Sequence, residues 1–278
     1  VDKSLEMLQA YSSRDERIRV FTEENKGAGA ARNRGLTEAT GKYMLFLDCD
    51  DFFEPNMVQL AYEKAEEQRA EIVIYKSDQY NMDSGEFVYE NWTMIEWALP
   101  PYEPFGYRQI STNIFKAFVG WAWDKLYLRE FVVKNDLKFQ EQRTTNDALF
   151  VFSALVLAEK ISTVRKILIH RRVDTVDSLS KTREKSWDNF YRMLLALRQF
   201  LKDREKWNEL EKDFVNYALH FSLWNYNTLA EPAKTKLRNK LVSEWFEELG
   251  IRQRHKEYFY DEYEYSQYEA MLKLQDTP

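Results

Sequence analysis

Apolar positions in the first 80 residues follow two alternating spacings. Residues 4–11, SLEMLQAY, have helical spacing, whereas residues 17–23, RIRVFTE, alternate like a short strand. The pattern then predicts a helix over GAARNRGLTEATG, a buried strand over YMLFLD, a helix from Pro55 over PNMVQLAYEKAEEQRA, and a strand over EIVIYKSDQY. This order predicts an α/β fold, with a mostly parallel sheet flanked by helices and ligands at the carboxyl ends of its strands.

The pattern changes twice further along the chain. From about residue 85 it is irregular and aromatic, and residues 100–106, PPYEPFG, predict a loop over a surface or cleft. Residues 144–161 resume helical spacing, and the chain is almost wholly helical after residue 184, including a tyrosine-rich tail that we expect to dock as a helix. We therefore divide the chain into two halves of one α/β domain, 1–95 and 96–183, and a C-terminal helical accessory region, 184–278.

Composition narrows the class of protein. With 44% hydrophobic and 31% charged residues in 278, the chain is globular, and its net charge of −6 argues against nucleic acid as a general partner. Cys49 is the only cysteine, so an intramolecular disulfide and a cysteine-based zinc site are excluded. We expect a cytoplasmic protein. Basic residues at 125–129 and 165–172 leave peripheral contact with the inner face of a membrane open.

Three carboxylates follow the predicted strand in MLFLDCDDFFEP, residues 44–55. In extended geometry Asp48 and Asp50 project to the same side, close to Asp51. A divalent cation would relieve their repulsion, and oxygen ligands favour Mg²⁺ or Mn²⁺. A solvated turn before a helix would also explain the acidic residues. Their spacing leaves both interpretations open.

A glycine-rich segment, NKGAGAARNRGL, occupies residues 25–36. Gly27 and Gly29 permit close backbone approach, and the helix that follows would direct free amide groups at an anion. Arg32 and Arg34 could add charge-assisted hydrogen bonds to phosphate. The alternative is a glycine turn before an ordinary amphipathic helix, because the segment is neither a Walker loop nor a G-x-G-x-x-G fingerprint.

Together the two segments resemble the GT-A catalytic domain of bacterial polysaccharide-type family-2 glycosyltransferases. That family has N-x-G-x-x-x-A-R-N-x-G-L before a strand ending in D-x-D-D, matched here by Asn25, Gly27, Ala31, Arg32, Asn33, Gly35, Leu36, Asp48, Asp50 and Asp51. The likeness continues through Trp123–Asp124–Lys125–Leu126–Tyr127, Asn146–Asp147 with Phe150, and loosely through residues 170–180. It implies that about 40 residues of the family domain, which would cradle the uracil base, are missing before Val1.

The resemblance also implies a reaction and a set of roles. The reaction is inverting transfer of a hexosyl group from a nucleotide sugar, usually a UDP sugar, to a saccharide or lipid-linked saccharide in surface polysaccharide synthesis. Asn25, Gly27, Arg32 and Asp48 would bind the donor, and Asp50 with Asp48 would hold Mn²⁺ or Mg²⁺, with His170 as a further candidate ligand. Asp147 would be the general base. We expect the helix start beside it to keep it ionised at some cost in basicity.

The aromatic segment suggests an acceptor site, with Trp121 and Trp123 as the candidate binding residues. Core packing is the alternative role for these rings. The alternative for Asp147 is a helix cap, and a lone histidine such as His170 is more often structural. We expect the helical region to support the acceptor side or to form a homodimer.

Two other functions remain to be weighed. A non-catalytic nucleotide- or carbohydrate-binding module would fit Asn146, which replaces the usual glutamate. A haloacid-dehalogenase-like phosphatase also ends a strand in D-x-D, but it requires threonine or valine where this chain has Phe52 and Phe53.

Overall fold

A computed structural model describes residues 2–173, 179–252 and 254–273. The strands are β1 (Tyr43–Met44), β2 (Phe52–Phe53), β3 (Ile72–Asn81), β4 (Phe87–Tyr89), β5 (Lys125–Leu128) and β6 (Ile161–Val173). The helices of the first 173 residues are α1 (Ser4–Ser12), α2 (Ala28–Glu38), α3 (Met57–Gln68), α4 (Ile114–Ala117), α5 (Arg129–Lys134) and α6 (Ala148–Leu157). The C-terminal helices are α7 (Asn189–Asp203), α8 (Trp207–Thr228), α9 (Ala233–Lys240), α10 (Phe246–Glu248) and α11 (Glu262–Lys273).

The strands form one six-stranded sheet in the order β1-β5-β3-β6-β2, with β4 beside the last residues of β3. The α/β class is confirmed, but the prediction of a mostly parallel sheet is wrong. Among the described strands, β3 and β6 pair in parallel and every other pair is antiparallel. Tight reversals explain part of this: β3 turns directly into β4, and the Asn81 side chain accepts hydrogen bonds from the backbone of Asp83 and Ser84.

Two predicted strands differ from the structure. Residues 17–23 form no strand, and Ile18 and Phe21 are exposed, because the described chain provides no neighbouring strand to pair with them. The strand predicted over residues 43–48 is hydrogen-bonded only at Tyr43–Met44. Its apolar residues Met44 and Phe46 are nevertheless buried.

The sheet has a hydrophobic core on each face. Ile72, Ile74 and Tyr127 face the larger core with α6, whereas Val73 and Leu126 face a smaller one under α3. Because β3 pairs with both β5 and β6, the predicted halves 1–95 and 96–183 share one sheet.

The C-terminal helices extend the larger core. Within it, α7 packs on α6, α8 on α7, and α11 on α8. The tyrosine-rich tail does dock as a helix, since Tyr268 of α11 is buried. Among the described residues, none of the helices has both the length and the apolar content that a membrane crossing needs.

One close backbone contact joins α2 to the segment before α6. A Cβ atom added to Gly29 would lie 2.0 Å from the carbonyl oxygen of Gln140, which is far inside van der Waals contact. Gly35, on the same helix, meets nothing within 4 Å. The nearby Gln140 backbone therefore requires glycine at position 29. At position 35 the surroundings would admit a side chain.

These two glycines give a matched test of the fold. We expect Gly29→Ala to lower the free energy of unfolding by roughly 1–3 kcal/mol or more, because α2 or residues 140–146 must move. Gly35→Ala should be neutral or stabilising by up to about 1 kcal/mol, since alanine favours a helix. Urea denaturation of both variants measures the difference. Equal stabilities would contradict the close contact.

Candidate functional site

The site begins with the acidic turn, Asp48, Asp50 and Asp51, just beyond β1. One carboxylate oxygen from each lies within 4.8 Å of the others. The last residues of β6 anchor the turn: the backbone N–H of Arg172 donates to Asp51 Oδ1 at 3.0 Å, and its side chain donates to the carbonyl oxygen of Asp50. The sheet therefore holds three like charges together.

Electrostatics at the turn favour a cation. Burial raises the pKa of Asp51 to about 6, the Arg172 backbone hydrogen bond opposes this rise, and the nearby Asp50 and Asp48 add to it. Three hard oxygen donors suit Mg²⁺ or Mn²⁺, so these residues fit the metal that the sequence predicts.

His170 lies apart from this group of carboxylates. Its Nδ1 is 2.6 Å from Asp78 Oδ1, and its Nε2 is 3.1 Å from Glu54 Oε1. Burial opposes its charge, but the hydrogen bonds to Glu54 and Asp78 outweigh burial and raise the pKa of His170. Since both ring nitrogens are engaged and the charged form is favoured, the geometry does not support the predicted role of His170 as a metal ligand.

Arg32 joins the acidic turn to the start of α6. Its Nη2 donates to Asp48 Oδ1 at 2.6 Å, and its Nη1 donates to Asn146 Oδ1 at 2.8 Å. The Arg32 side chain is 14% exposed, so water competes weakly for these bonds. Two of its donors thus hold protein groups, a role that the sequence interpretation of Arg32 as a phosphate contact missed.

Asp147 occupies the N-cap position of α6 without making a side-chain cap hydrogen bond. Burial raises its pKa, the positive charge of Arg32 opposes the rise, and Asp48 adds to it. The expectation that the helix start would lower its basicity is therefore wrong, because burial has the larger effect. The residue as a whole is only partly buried.

A buried ion pair supports the neighbouring loop. Lys125 Nζ donates to Asp124 Oδ1 at 2.5 Å and to the carbonyl oxygens of Val119 and Trp121 at 3.0 and 2.8 Å. Burial lowers the pKa of Lys125 and raises that of Asp124. The sequence predicts Lys125 to be a surface cation that could contact a membrane, and this prediction is wrong because its side chain is fully buried.

The two predicted acceptor tryptophans differ in accessibility. Trp123 is 4% exposed and stacks beneath Trp121 with ring centroids 4.7 Å apart, so its own ring is unavailable to a ligand. Trp121 is partly exposed. The sequence does not predict a binding role for Trp92. Its ring packs edge-to-face with Trp121, with ring centroids 5.2 Å apart, and the residue is 46% exposed. Its position in the aromatic segment was the available signal.

The glycine-rich segment makes hydrogen bonds both within its own turn and to the segment before α6. Asn25 Oδ1 accepts from the backbone N–H of Gly27 at 3.0 Å, and Gly27 has a φ of +90°, which glycine adopts readily. Asn33 exchanges two hydrogen bonds with the backbone of Phe139, at 2.8 and 3.0 Å. The segment therefore fixes α2 against the residues that lead to Asp147. Of the loose match at 170–180, residues 174–178 lie outside the described residues.

Comparison with known proteins agrees with this arrangement. Residues 1–132 match the family described as Glycosyl transferase family 2. The chain is 26% identical over 290 residues to a cholesterol galactosyltransferase of Borreliella burgdorferi, covering 100% of this chain and 79% of that protein. It is 29% identical over 198 residues to glycosyltransferase GlyA of Streptococcus pneumoniae, covering 67% of this chain and 27% of that protein.

A solved structure shares the fold. Residues 1–349 of TarS from S. aureus, crystallised with UDP-GlcNAc, superpose with a TM-score of 0.53 at 17% identity, covering 96% of this chain and 80% of that one. The fold is thus the GT-A-like α/β fold, with a mixed sheet flanked by helices. The match to the family model therefore identifies residues 1–132 as a family-2 glycosyltransferase domain, and the relative from Borreliella burgdorferi extends the similarity to glycosyltransferases over the whole chain.

Proposed function

We propose that this enzyme transfers a hexosyl group, with inversion, from a UDP sugar to a saccharide or glycolipid acceptor in surface polysaccharide synthesis. The observation that carries the proposal is the Arg32 bridge, which brings the acidic turn and the start of α6 into one site. One end of this site suits the departing diphosphate, and the other suits the attacking hydroxyl.

Donor binding is assigned to the acidic turn and the glycine-rich segment. Asp50, with Asp48, would hold Mn²⁺ or Mg²⁺, and a bound ion would neutralise the negative charge that develops on the leaving diphosphate. Arg32 keeps Asp48 in place for this purpose. Asn25 and Gly27 form the turn before α2 and would contact the donor from that side.

Asp147 is assigned the role of general base. A carboxylate oxygen of Asp147 would accept the proton of the acceptor hydroxyl. The hydroxyl oxygen would attack the anomeric carbon on the side opposite the nucleotide, as the bond from that carbon to the diphosphate breaks. Attack from the opposite side inverts the configuration. Burial strengthens the base, since it raises the pKa of Asp147.

A non-catalytic binding module is the second candidate, favoured by Asn146 at the position of the usual glutamate. The amide oxygen of Asn146 accepts from Arg32, as a carboxylate would, which supports retention of the site's architecture.

For the acceptor, the relative named as a cholesterol galactosyltransferase supports a lipid-bearing molecule, and with it peripheral membrane contact. Dimerisation through the helical region remains a further part of the proposal.

Loss of the metal ligand gives the first test. We expect Asp50→Asn to weaken Mn²⁺ binding in the presence of UDP about tenfold or more, because one charged oxygen ligand is lost. Asp83→Asn, the same change on an exposed hairpin, should leave binding unaltered. Calorimetric titration with Mn²⁺ measures both. Unchanged Mn²⁺ affinity in Asp50→Asn would contradict the metal site.

Removal of the base gives the decisive test of transfer. We expect Asp147→Asn to lower kcat roughly 10²–10⁴-fold while UDP binding is retained, because only proton removal is affected. Asp136→Asn, an exposed control, should keep full activity. A binding module would show UDP affinity without turnover in the unmodified chain.

The pH profile adds an independent check on Asp147. The base must be deprotonated, so kcat/KM should fall as pH falls through its apparent pKa, and that pKa should lie above the ordinary 3.8. Initial rates measured across the acid range provide the profile. An acid limb at or below the ordinary value would remove Asp147 from this role.

The Arg32 bridge can be tested by a conservative change. Lysine keeps the charge but lacks the planar fork that spans Asp48 and Asn146. We expect Arg32→Lys to cost about 1–3 kcal/mol of stability and to reduce both Mn²⁺ affinity and kcat. Arg34→Lys on the same helix, where the side chain is half exposed and pairs with Glu38, is the matched control. Thermal unfolding and kinetics indistinguishable between the two would refute the bridge.

A further inference from the structure

Trp92 packs against Trp121, one of the predicted acceptor residues, and keeps an accessible ring. Trp121, against which it packs edge-on at 71°, is already stacked on Trp123. The guanidinium of Arg171 lies 4.9 Å from the centre of the same Trp121 ring. Little of Trp121 is left for a ligand, whereas Trp92 is 46% exposed.

Arg171 connects this ring to the acidic turn. Arg171 and Arg172 are consecutive residues near the end of β6. Arg172 binds the acidic turn through Asp50 and Asp51, and Arg171 contacts Trp121. We call the group formed by Trp92, Trp121 and Arg171 the Trp92 corner. Its residue Arg171 directly precedes Arg172, which binds the acidic turn of the predicted metal site.

A buried carboxylate supports the corner. Glu90 is 3% exposed and accepts hydrogen bonds from Gln79 and, at 3.4 Å, from Arg171 Nη2. Within the described residues, Glu90 Oε2 and Arg171 Nε have no hydrogen-bond partner although both are buried. Unpaired buried polar atoms are costly, so a water or a ligand group that reached them would be stabilised.

We propose that the Trp92 corner is a subsite for a neutral saccharide, which rests on the proposed function because this saccharide would be part of the acceptor. The apolar C–H face of a pyranose ring would stack on Trp92, and its hydroxyl groups would pair with the donors of Arg171. Glu90 neutralises Arg171, so the corner has no excess positive charge to select an anionic sugar. Trp92 is the binding residue, and Glu90 is a positioning residue that orients Arg171.

Binding measured without donor or metal tests the subsite separately from transfer. Cellotetraose, maltotetraose and chitotetraose are titrated by calorimetry into the unmodified chain, Trp92→Ala and Trp97→Ala. Trp97 is 77% exposed and serves as the matched control. We expect at least one tetrasaccharide to bind the unmodified chain, with affinity about tenfold lower in Trp92→Ala and unchanged in Trp97→Ala.

A second variant tests the positioning role of Glu90. Glu90→Gln leaves Arg171 without its neutralising charge, so we expect several-fold weaker binding of the neutral tetrasaccharide and new affinity for tetragalacturonate, an anionic one. A merely structural Glu90 would not change the preference between the two charges. Circular dichroism and unfolding temperature confirm that each variant is folded.

The proposal would be overturned if no tetrasaccharide bound saturably, or if Trp92→Ala bound it as tightly as the unmodified chain. Equal losses of tetrasaccharide affinity in Trp92→Ala and Trp97→Ala would also overturn it. So would Trp92-dependent binding to phosphatidylglycerol vesicles only. The last outcome would assign the corner to a membrane surface. Loss of transfer activity with tetrasaccharide binding retained would count against the proposed function and leave the subsite intact.

Discussion

Charge repulsion within the acidic turn is the constraint on which the site depends. Asp48, Asp50 and Asp51 lie within a few ångströms of one another, Arg172 of β6 anchors Asp50 and Asp51, and burial of Asp51 makes its charge costlier still. Arg32 offsets part of that repulsion from α2. Because the same guanidinium also binds Asn146, relief of the repulsion fixes the position of α6. One side chain thus links donor chemistry to the candidate base.

Burial then determines the chemistry of the second half of the site. The charges of Asp147, Asp124 and Lys125 are all disfavoured by their surroundings. For Asp147 this produces a stronger base. For Lys125 it demands full hydrogen bonding, which two backbone carbonyls and Asp124 supply. The Asp124–Lys125 ion pair and the two backbone hydrogen bonds of Lys125 therefore stabilise the loop that carries Trp121. The more accessible aromatic surface belongs to Trp92.

The sequence predicted local features well and spatial relations less well. The acidic turn and the glycine-rich segment stand out as motifs in the sequence, whereas Asp147 becomes a candidate base only through the family resemblance. The role of Arg32 depends on a contact between residues 114 positions apart, which spacing cannot reveal. The direction of the Asp147 pKa shift likewise depends on tertiary burial rather than on its helix position. Antiparallel pairing was missed because apolar runs do not encode strand direction.

The pairing of β3 carries a mechanical consequence. This strand is hydrogen-bonded to β5 and β6 on its two sides, so residues 1–95 and 96–183 are joined through the middle of one sheet. Opening one half against the other would break a continuous ladder of backbone hydrogen bonds in the middle of the sheet. Movement confined to surface loops leaves this ladder intact, so the predicted site can open and close without parting the sheet beneath it.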